Sequence, residues 1–352
     1  MVPSTLGEND EGMQRVQDSS VERITIEDVA ARAGVSATTV SHVFSGHRPV
    51  RSETKALVER IAVELGYRPN AVARSLRVQR TNTAMIILPD ITNPFYPEFA
   101  RGVQDVLRAG EYHTLLCNTD SREEEERAFL DEAISRRLDG IVFMGYWVSP
   151  EELLHVAAAG VAVVNLGEGL EGTSIDSVRS TDEDGARDAT AYLLDRYGSS
   201  VALIDGTMFA PVARARTSGY HRALLSAGVS PIPEYEVSEE FTRDGGRRGM
   251  SALLDLANPP RAVFCANDQI ALGALDEAAR RGLSVPADIA IAGFDDIDAA
   301  SMVQPNLTTV HNSPDVLGAR CGELLLSRMT GEFTGLGRDV VIPAELVIRE
   351  SA

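Results

Sequence analysis

Several residue types are scarce in this 352-residue chain, and each scarcity excludes a class of function. Cysteine occurs three times, at Cys117, Cys265 and Cys321. The three are widely spaced and odd in number, which suits neither a disulfide framework nor a thiolate metal cluster, so free thiols in apolar surroundings are expected. The six histidines are scattered without metal-ligand spacing. No G-x-S-x-G elbow and no P-loop occurs, so hydrolase or kinase chemistry has no centre. The chain is expected to hold no metal or cofactor and to be no enzyme. No apolar run approaches the ~20 residues of a membrane span. The first 22 residues are polar and acidic and lack the apolar core of an export signal. They are read as a disordered tail (1–22), and the chain is expected to work in the cytoplasm. Lysine occurs once (Lys55) and tryptophan once (Trp147), so nearly every basic position is arginine.

What is abundant is acid. The net charge is −19, but it is unevenly shared. From Glu22 to Arg80 ten basic residues face six acidic ones, a local +4 against −23 elsewhere. A basic head on an acidic body is the distribution of a molecule that approaches polyanions by one end only.

That head has a legible pattern. Thr25 to Gly46 (TIEDVAARAGVSATTVSHVFSG) reads as two short helices joined by a tight turn. Thr25 and Asp28 fit a capping box. Gly34 supplies a turn in which a positive φ costs little. Ser36 sits where the second helix needs an N-cap. Ile26, Val29 and Ala30 face Val40, Val43 and Phe44. Ala37, Thr38, Ser41 and His42 are left on the outside of the second helix, where short or hydrogen-bonding side chains can reach base edges in a DNA major groove. The alternative is an ordinary helical hairpin packed inside a larger domain. Ser52 to Leu65 then forms an amphipathic helix with Leu57, Ile61 and Leu65 on one face and Gly66 as its stop. It completes a headpiece over 23–66. Residues 67–80 (YRPNAVARSLRVQR) are basic and too short to be a stable helix alone, which suits a linker that orders only against a second copy and DNA.

From Thr81 onward, buried-strand runs alternate with helical patterns: AMIIL, HTLLC, GIVFM and VAVVNL in a first series, VALID, AVFC and IAIAGF in a second. Such alternation predicts parallel sheets covered by helices, in two α/β subdomains. In open sheets of this kind ligands bind beyond the carboxyl ends of the strands.

The stretches TIEDVAARAGVSATTVSHVFSG, ELGYRPNAVARSLR, LPDITNPFYPEF, RRLDGIVF, ANDQIALGAL and GFDDIDAA followed by LTTV, in this order, resemble the LacI/GalR family of bacterial transcription regulators. The likeness runs from about Arg23 to the C-terminus. It implies an all-α helix-turn-helix headpiece, a hinge helix, and an effector domain (81–352) of two Rossmann-like subdomains, like periplasmic binding proteins. The subdomains would cover roughly 81–180 with 312–342, and 181–311 with 343–352. It places Ala37, Thr38 and His42 at base-reading positions and Leu76 as a wedge into the minor groove. Ser36, Thr39 and Ser41 would touch phosphate, cap or pack. Thr25, Asn70, Ala73 and Arg77 complete the DNA-facing set.

For the effector the resemblance and the strand ends nominate Asp90, Asn93, Phe95, Tyr96, Tyr146, Arg216, Phe241, Asn267, Asp295 and Asn312. Phe95 and Tyr96 could stack on a sugar-like ligand, or Phe95 could simply open a core helix. Arg216 matches an arginine that grips an effector hydroxyl or carboxylate, with a salt bridge as the alternative. Asp268 could cap its own helix, which favours Asn267 for the ligand. Trp147 could line the wall or sit at the surface. The purine branch has arginine and threonine where this chain has Ala210 and Val212, which argues against a purine effector. Many sugar-binding members carry an acid where this chain has Gly167, so that Glu168 substitutes or the contact is absent. The expectation is therefore a sequence-specific regulator of the repressor type, a homodimer on palindromic double-stranded operator DNA, controlled by a sugar-like effector. A solute-binding protein is the other reading of the large region, and the fused headpiece argues against it.

Overall fold

The computed structural model describes residues 24–45, 48–68, 80–206 and 210–352. The expected tail and most of the expected linker, including Asn70, Ala73, Leu76 and Arg77, lie outside the described residues. The chain divides after Gln79 into two compact units.

The first unit is built from helices α1 (Ile26–Ala33), α2 (Ala37–Ser45) and α3 (Ser52–Leu65). Both halves of the Thr25–Asp28 capping box are made, with the Thr25 N–H donating to Asp28 at 2.8 Å. Gly34 takes φ 65° and ends α1, and its N–H bonds back to the carbonyls of Ala30 and Ala31. Val29, Ala30, Val40, Val43, Val58, Ile61 and Ala62 form the core. The buried stripe of α3 is centred one residue further on than the periodicity suggests: Val58 is fully buried, and Leu57 and Leu65 pack only partly against it.

The second unit holds two parallel sheets. The first has six strands in the order β11-β5-β4-β3-β1-β2. These are β1 (Thr83–Leu88), β2 (His113–Asn118), β3 (Gly140–Phe143), β4 (Ala162–Leu166), β5 (Asp176–Ser180) and β11 (Asp339–Ile342). The second sheet runs β7-β6-β8-β9, from β6 (Val201–Asp205), β7 (Glu236–Ser238), β8 (Ala262–Cys265) and β9 (Ala290–Ala292). A short antiparallel pair, β10 (Thr309–His311) and β12 (Glu345–Val347), stands beside it. Every pairing within the two larger sheets is parallel.

Parallel strands need crossovers, and the helices supply them. The first lobe is covered by α4 (Phe95–Ala109), α5 (Glu123–Ser135), α6 (Pro150–Ala158) and α12 (Pro314–Met329). The second carries α7 (Asp182–Tyr197), α8 (Pro211–Ser226), α9 (Arg243–Leu254), α10 (Asp268–Arg280) and α11 (Asp298–Met302). The chain passes between lobes three times, near residues 181, 313 and 343, because α12 and β11 return to the first sheet late in the sequence. Leu272 and Ile297 of the second lobe pack into the apolar cluster of the first, around Phe95, Phe99 and Leu317.

Strand β5 (DSVRS) lacks the apolar run that marks its neighbours β4 and β3. Asp176 opens β5 fully buried, matched by Arg328 and Arg338, whose guanidinium groups both stack on Phe333. Burial alone would raise the Asp176 carboxyl, but these ion pairs outweigh it and bring it down to about 2.

Candidate functional sites

In the headpiece, the start of α2 is a compact polar knot. The Ser36 hydroxyl accepts the Thr39 N–H at 3.1 Å and meets the Thr39 hydroxyl at 2.9 Å. Ser36 thus caps the helix, as its position suggests. Thr38 points outward and is exposed, while Ala37, Ser41 and His42 are half-buried on the same helix. The Thr25 hydroxyl is committed to its capping box and donates to Asp28 at 2.8 Å. Thr38 is therefore the most exposed of Ala37, Thr38, Ser41 and His42.

In the second unit a cavity lies between the lobes. It is lined by Asn93, Phe95, Tyr96, Tyr146, Arg216, Phe241, Asn267, Asp295 and Asn312, nine of the ten nominated positions. Each follows the carboxyl end of a strand or stands on the helix after it. Phe95 does both expected things: it opens α4 in the core and also walls the cavity. Tyr96 and Tyr146 join their hydroxyls at 3.0 Å on the first-lobe side. Burial pushes the Tyr146 phenol up to about 12 and raises that of Tyr96, so both remain hydrogen-bonding phenols.

Asp90 is the exception. Its carboxylate accepts the Thr92 N–H at 2.8 Å and the Thr92 hydroxyl at 2.7 Å. An aspartate two residues before a backbone N–H folds its own turn, and this one does so outside the cavity. Trp147 is also outside: its indole N–H bonds to the Ser121 carbonyl at 2.9 Å. Glu168 lies in a neighbouring groove, so it does not stand in for an acid at Gly167, which lines the cavity itself. Asn267, not Asp268, caps α10, accepting the Ile270 N–H at 2.9 Å. Asp268 is buried and accepts instead from the Ile297 N–H at 2.9 Å and the Thr309 hydroxyl at 2.6 Å.

The second-lobe wall is organised by charge. Arg216 is almost fully buried and stacks over Phe294 at 3.7 Å. Its Nε donates to Asp182 at 2.9 Å, its Nη1 to the Ala266 carbonyl at 2.6 Å and its Nη2 to Asp295 at 3.0 Å. The guanidinium thus spends its donors on the protein. It holds two carboxylates together at the cavity it lines, the salt bridge given as the alternative reading of Arg216. Asp182 was missed because it reads as an ordinary first-turn acid of α7; only its ion pair with Arg216 reveals it. Met144, Gly145, Leu166, Arg179, Ser180, Pro211 and Leu317 were missed too.

Asp295 takes φ 106°, a conformation that L side chains rarely adopt, pinned by its N–H to the Val310 carbonyl at 2.9 Å. Burial, reinforced by Asp182 and opposed by Arg216 and Asn312, lifts its carboxyl to about 6. Asn312 donates its amide N–H to Asp295 at 3.4 Å, and its Oδ1 is buried with no hydrogen-bond partner among the described residues.

A polar headpiece face and a cleft of aromatic rings and carboxylates now stand in one chain, and comparison decides what that chain is. A model described as bacterial regulatory proteins, lacI family, matches residues 25–70, and one described as a periplasmic binding protein-like domain matches 190–352. Catabolite control protein A of Priestia megaterium is 37% identical over 330 residues, spanning 93% of this chain and 99% of the relative. The chain belongs to the LacI family of bacterial transcription regulators. Among solved structures, the lac repressor dimer bound to operator and the anti-inducer ONPF superposes with a TM-score of 0.82 at 26% identity, covering 94% of this chain and 99% of that one. The complex of the regulator CelR with cellobiose gives a TM-score of 0.70 at 30% identity, covering 94% and 100%. As a LacI-family member, the protein is a DNA-binding transcriptional regulator under small-molecule control, and its relatives are regulators rather than enzymes. No helix of the described residues is long and apolar enough to cross a membrane.

Proposed function

We propose that the protein represses transcription in the cytoplasm as a homodimer on a palindromic operator, and that a sugar or related polyol in the interlobe cavity sets its affinity for DNA. The observation that carries the effector class is Asn312 Oδ1, a buried acceptor with no partner among the described residues, beside the raised carboxyl of Asp295. Buried acceptors without partners are rare in native proteins. A ligand that donates two hydrogen bonds, such as a vicinal diol, supplies what this corner lacks. Phe95, Tyr96, Tyr146 and Phe241 offer apolar faces for the ring of such a ligand. Val212 lines the wall where the purine branch has a polar side chain, which supports a polyol over a base. The sugar named in the cellobiose complex of CelR is consistent with this class.

In this reading Ala37, Thr38 and His42 read bases while Ser36, Thr39 and Ser41 sit near phosphate. Thermal unfolding of the full chain against a panel of pentoses, hexoses and disaccharides tests the cavity. At least one is expected to raise the midpoint in the native chain and to lose that effect in Asp295→Asn. Equal shifts in both chains would place the effector elsewhere.

A further inference from the structure

The RRLDGIVF segment holds an aspartate that neither site uses. Asp139 sits between α5 and β3, and its Oδ2 accepts three hydrogen bonds. They come from the Thr81 N–H at 2.9 Å, the Thr81 hydroxyl at 2.8 Å and the Thr83 N–H at 3.2 Å. Its own N–H donates to the Thr83 carbonyl at 3.0 Å. Residues 81 to 83 are the first turn of chain after the linker segment. One carboxylate oxygen therefore ties down Thr81 and Thr83, at the start of the first lobe.

The same oxygen is tied to the effector cavity by a single rigid element. Helix α5 ends in a tight turn. Arg136, Arg137 and Leu138 bond back to the carbonyls of Glu132, Ile134 and Ala133 at 2.9, 3.0 and 3.0 Å, and Leu138 is buried in the core. Asp139 follows at once. Near the other end of α5, 13 residues and roughly 20 Å long, Glu126 is fully buried. It accepts the N–H groups of Tyr146, Trp147 and Val148 at 2.8, 2.9 and 3.3 Å. A Cβ on Gly145 would stand 2.6 Å from the Glu126 carboxyl, so only glycine lets the loop close on it. Tyr146, held by this loop, lines the cavity.

We infer that Asp139 is the positioning residue for the DNA linker, and that α5 joins it through Glu126 to the Tyr146 wall of the cavity. A ligand that moves Tyr146 then moves the linker's point of departure, and DNA that orders the linker acts back on the Tyr146–Trp147 loop by the same coupling. This inference rests on the DNA-binding reading of the headpiece.

The test needs no effector, because DNA is one of the two coupled ligands and Trp147, the sole tryptophan, reports on the loop. A duplex is selected from random sequence by the native full-length chain. Affinity and tryptophan emission are then read for the native chain, Asp139→Ala, Asp139→Asn and Thr81→Val. Asp139→Ala should bind the selected duplex about tenfold more weakly or worse, with binding to random duplex changed less than about twofold. Asp139→Asn keeps an acceptor oxygen and should bind like the native chain, and Thr81→Val should fall between. The selected duplex should change Trp147 emission in the native and Asn chains and not in the Ala chain. Native affinity in Asp139→Ala, loss in Asp139→Asn equal to that in Ala, or a native Trp147 that ignores the selected duplex would each overturn the inference. Should the native chain enrich no sequence at all, the DNA-binding reading falls first, which is a different result.

Discussion

In the proposed function Asp295 is the residue on which effector control turns, and its chemistry gives it a pH signature. The native fold raises its carboxyl from an ordinary 3.8 to about 6, chiefly by burial. An acid raised in this way favours the fold when protonated; that contribution is complete below about pH 4 and is lost as pH climbs through about 6. Ligand binding runs the other way, since a ligand donor needs the ionised oxygen. Effector affinity should therefore fall on acidification below about pH 6. Isothermal titration at pH 5 and pH 7.5 checks this, and equal affinities would show that the carboxylate does not meet the ligand. Asp176 has the opposite sign. Held down to about 2 by Arg328 and Arg338, it stabilises the fold above about pH 4 and loses this as pH falls through about 2. Asp176→Ala leaves Arg328 buried without its carboxylate and should cost about 3–5 kcal/mol in denaturant unfolding; a cost below 1 kcal/mol would mean Phe333 alone holds the loop. Asp295 could be read from the sequence because it directly follows an apolar strand run. Its raised carboxyl could not, because that depends on burial by the folded chain and on Asp182, distant in sequence, outweighing Arg216 and Asn312.

At the scale of elements, α2 carries the recognition argument. Thr38 is exposed at its first turn, between a capped Ser36–Thr39 pair and half-buried His42. Replacing Thr38 with alanine should relax preference at a single base position by ~1–3 kcal/mol, read as competition among variants of a selected duplex. A uniform loss over all sequences would assign Thr38 to phosphate instead. Local signals made this element legible: Thr25, Asp28, Gly34 and Ser36 are caps and turns whose geometry is fixed by their neighbours. Strands with an apolar run were equally legible. Strand β5 was not, because DSVRS carries charges that only residues distant in sequence satisfy. Asp90 misled for the converse reason. Its place after β1 matched a ligand contact, but a threonine two residues on turned it into its own loop. The cap of α10 went to Asn267 because Asp268 is drawn inward by Thr309, a contact spanning 41 residues.

For the whole molecule, charge and topology converge. A segment of net +4 stands in a chain that carries −23 elsewhere, so contact with phosphate falls to a few arginines and should weaken steeply with salt. Two lobes are joined by three crossings, and the cavity sits between them. The order of motifs along the sequence made this plan readable. The size of the coupling was not readable, since it is a difference between two states of the same contacts. The central claim is that occupancy of the cleft sets affinity for a specific DNA sequence. Its most direct measurement is the affinity of the full chain for a duplex it has itself selected, with and without a sugar that raises its thermal midpoint. A change of about fivefold or more, absent in Asp295→Asn, is the predicted result. Identical affinity with the cleft filled and empty would contradict it.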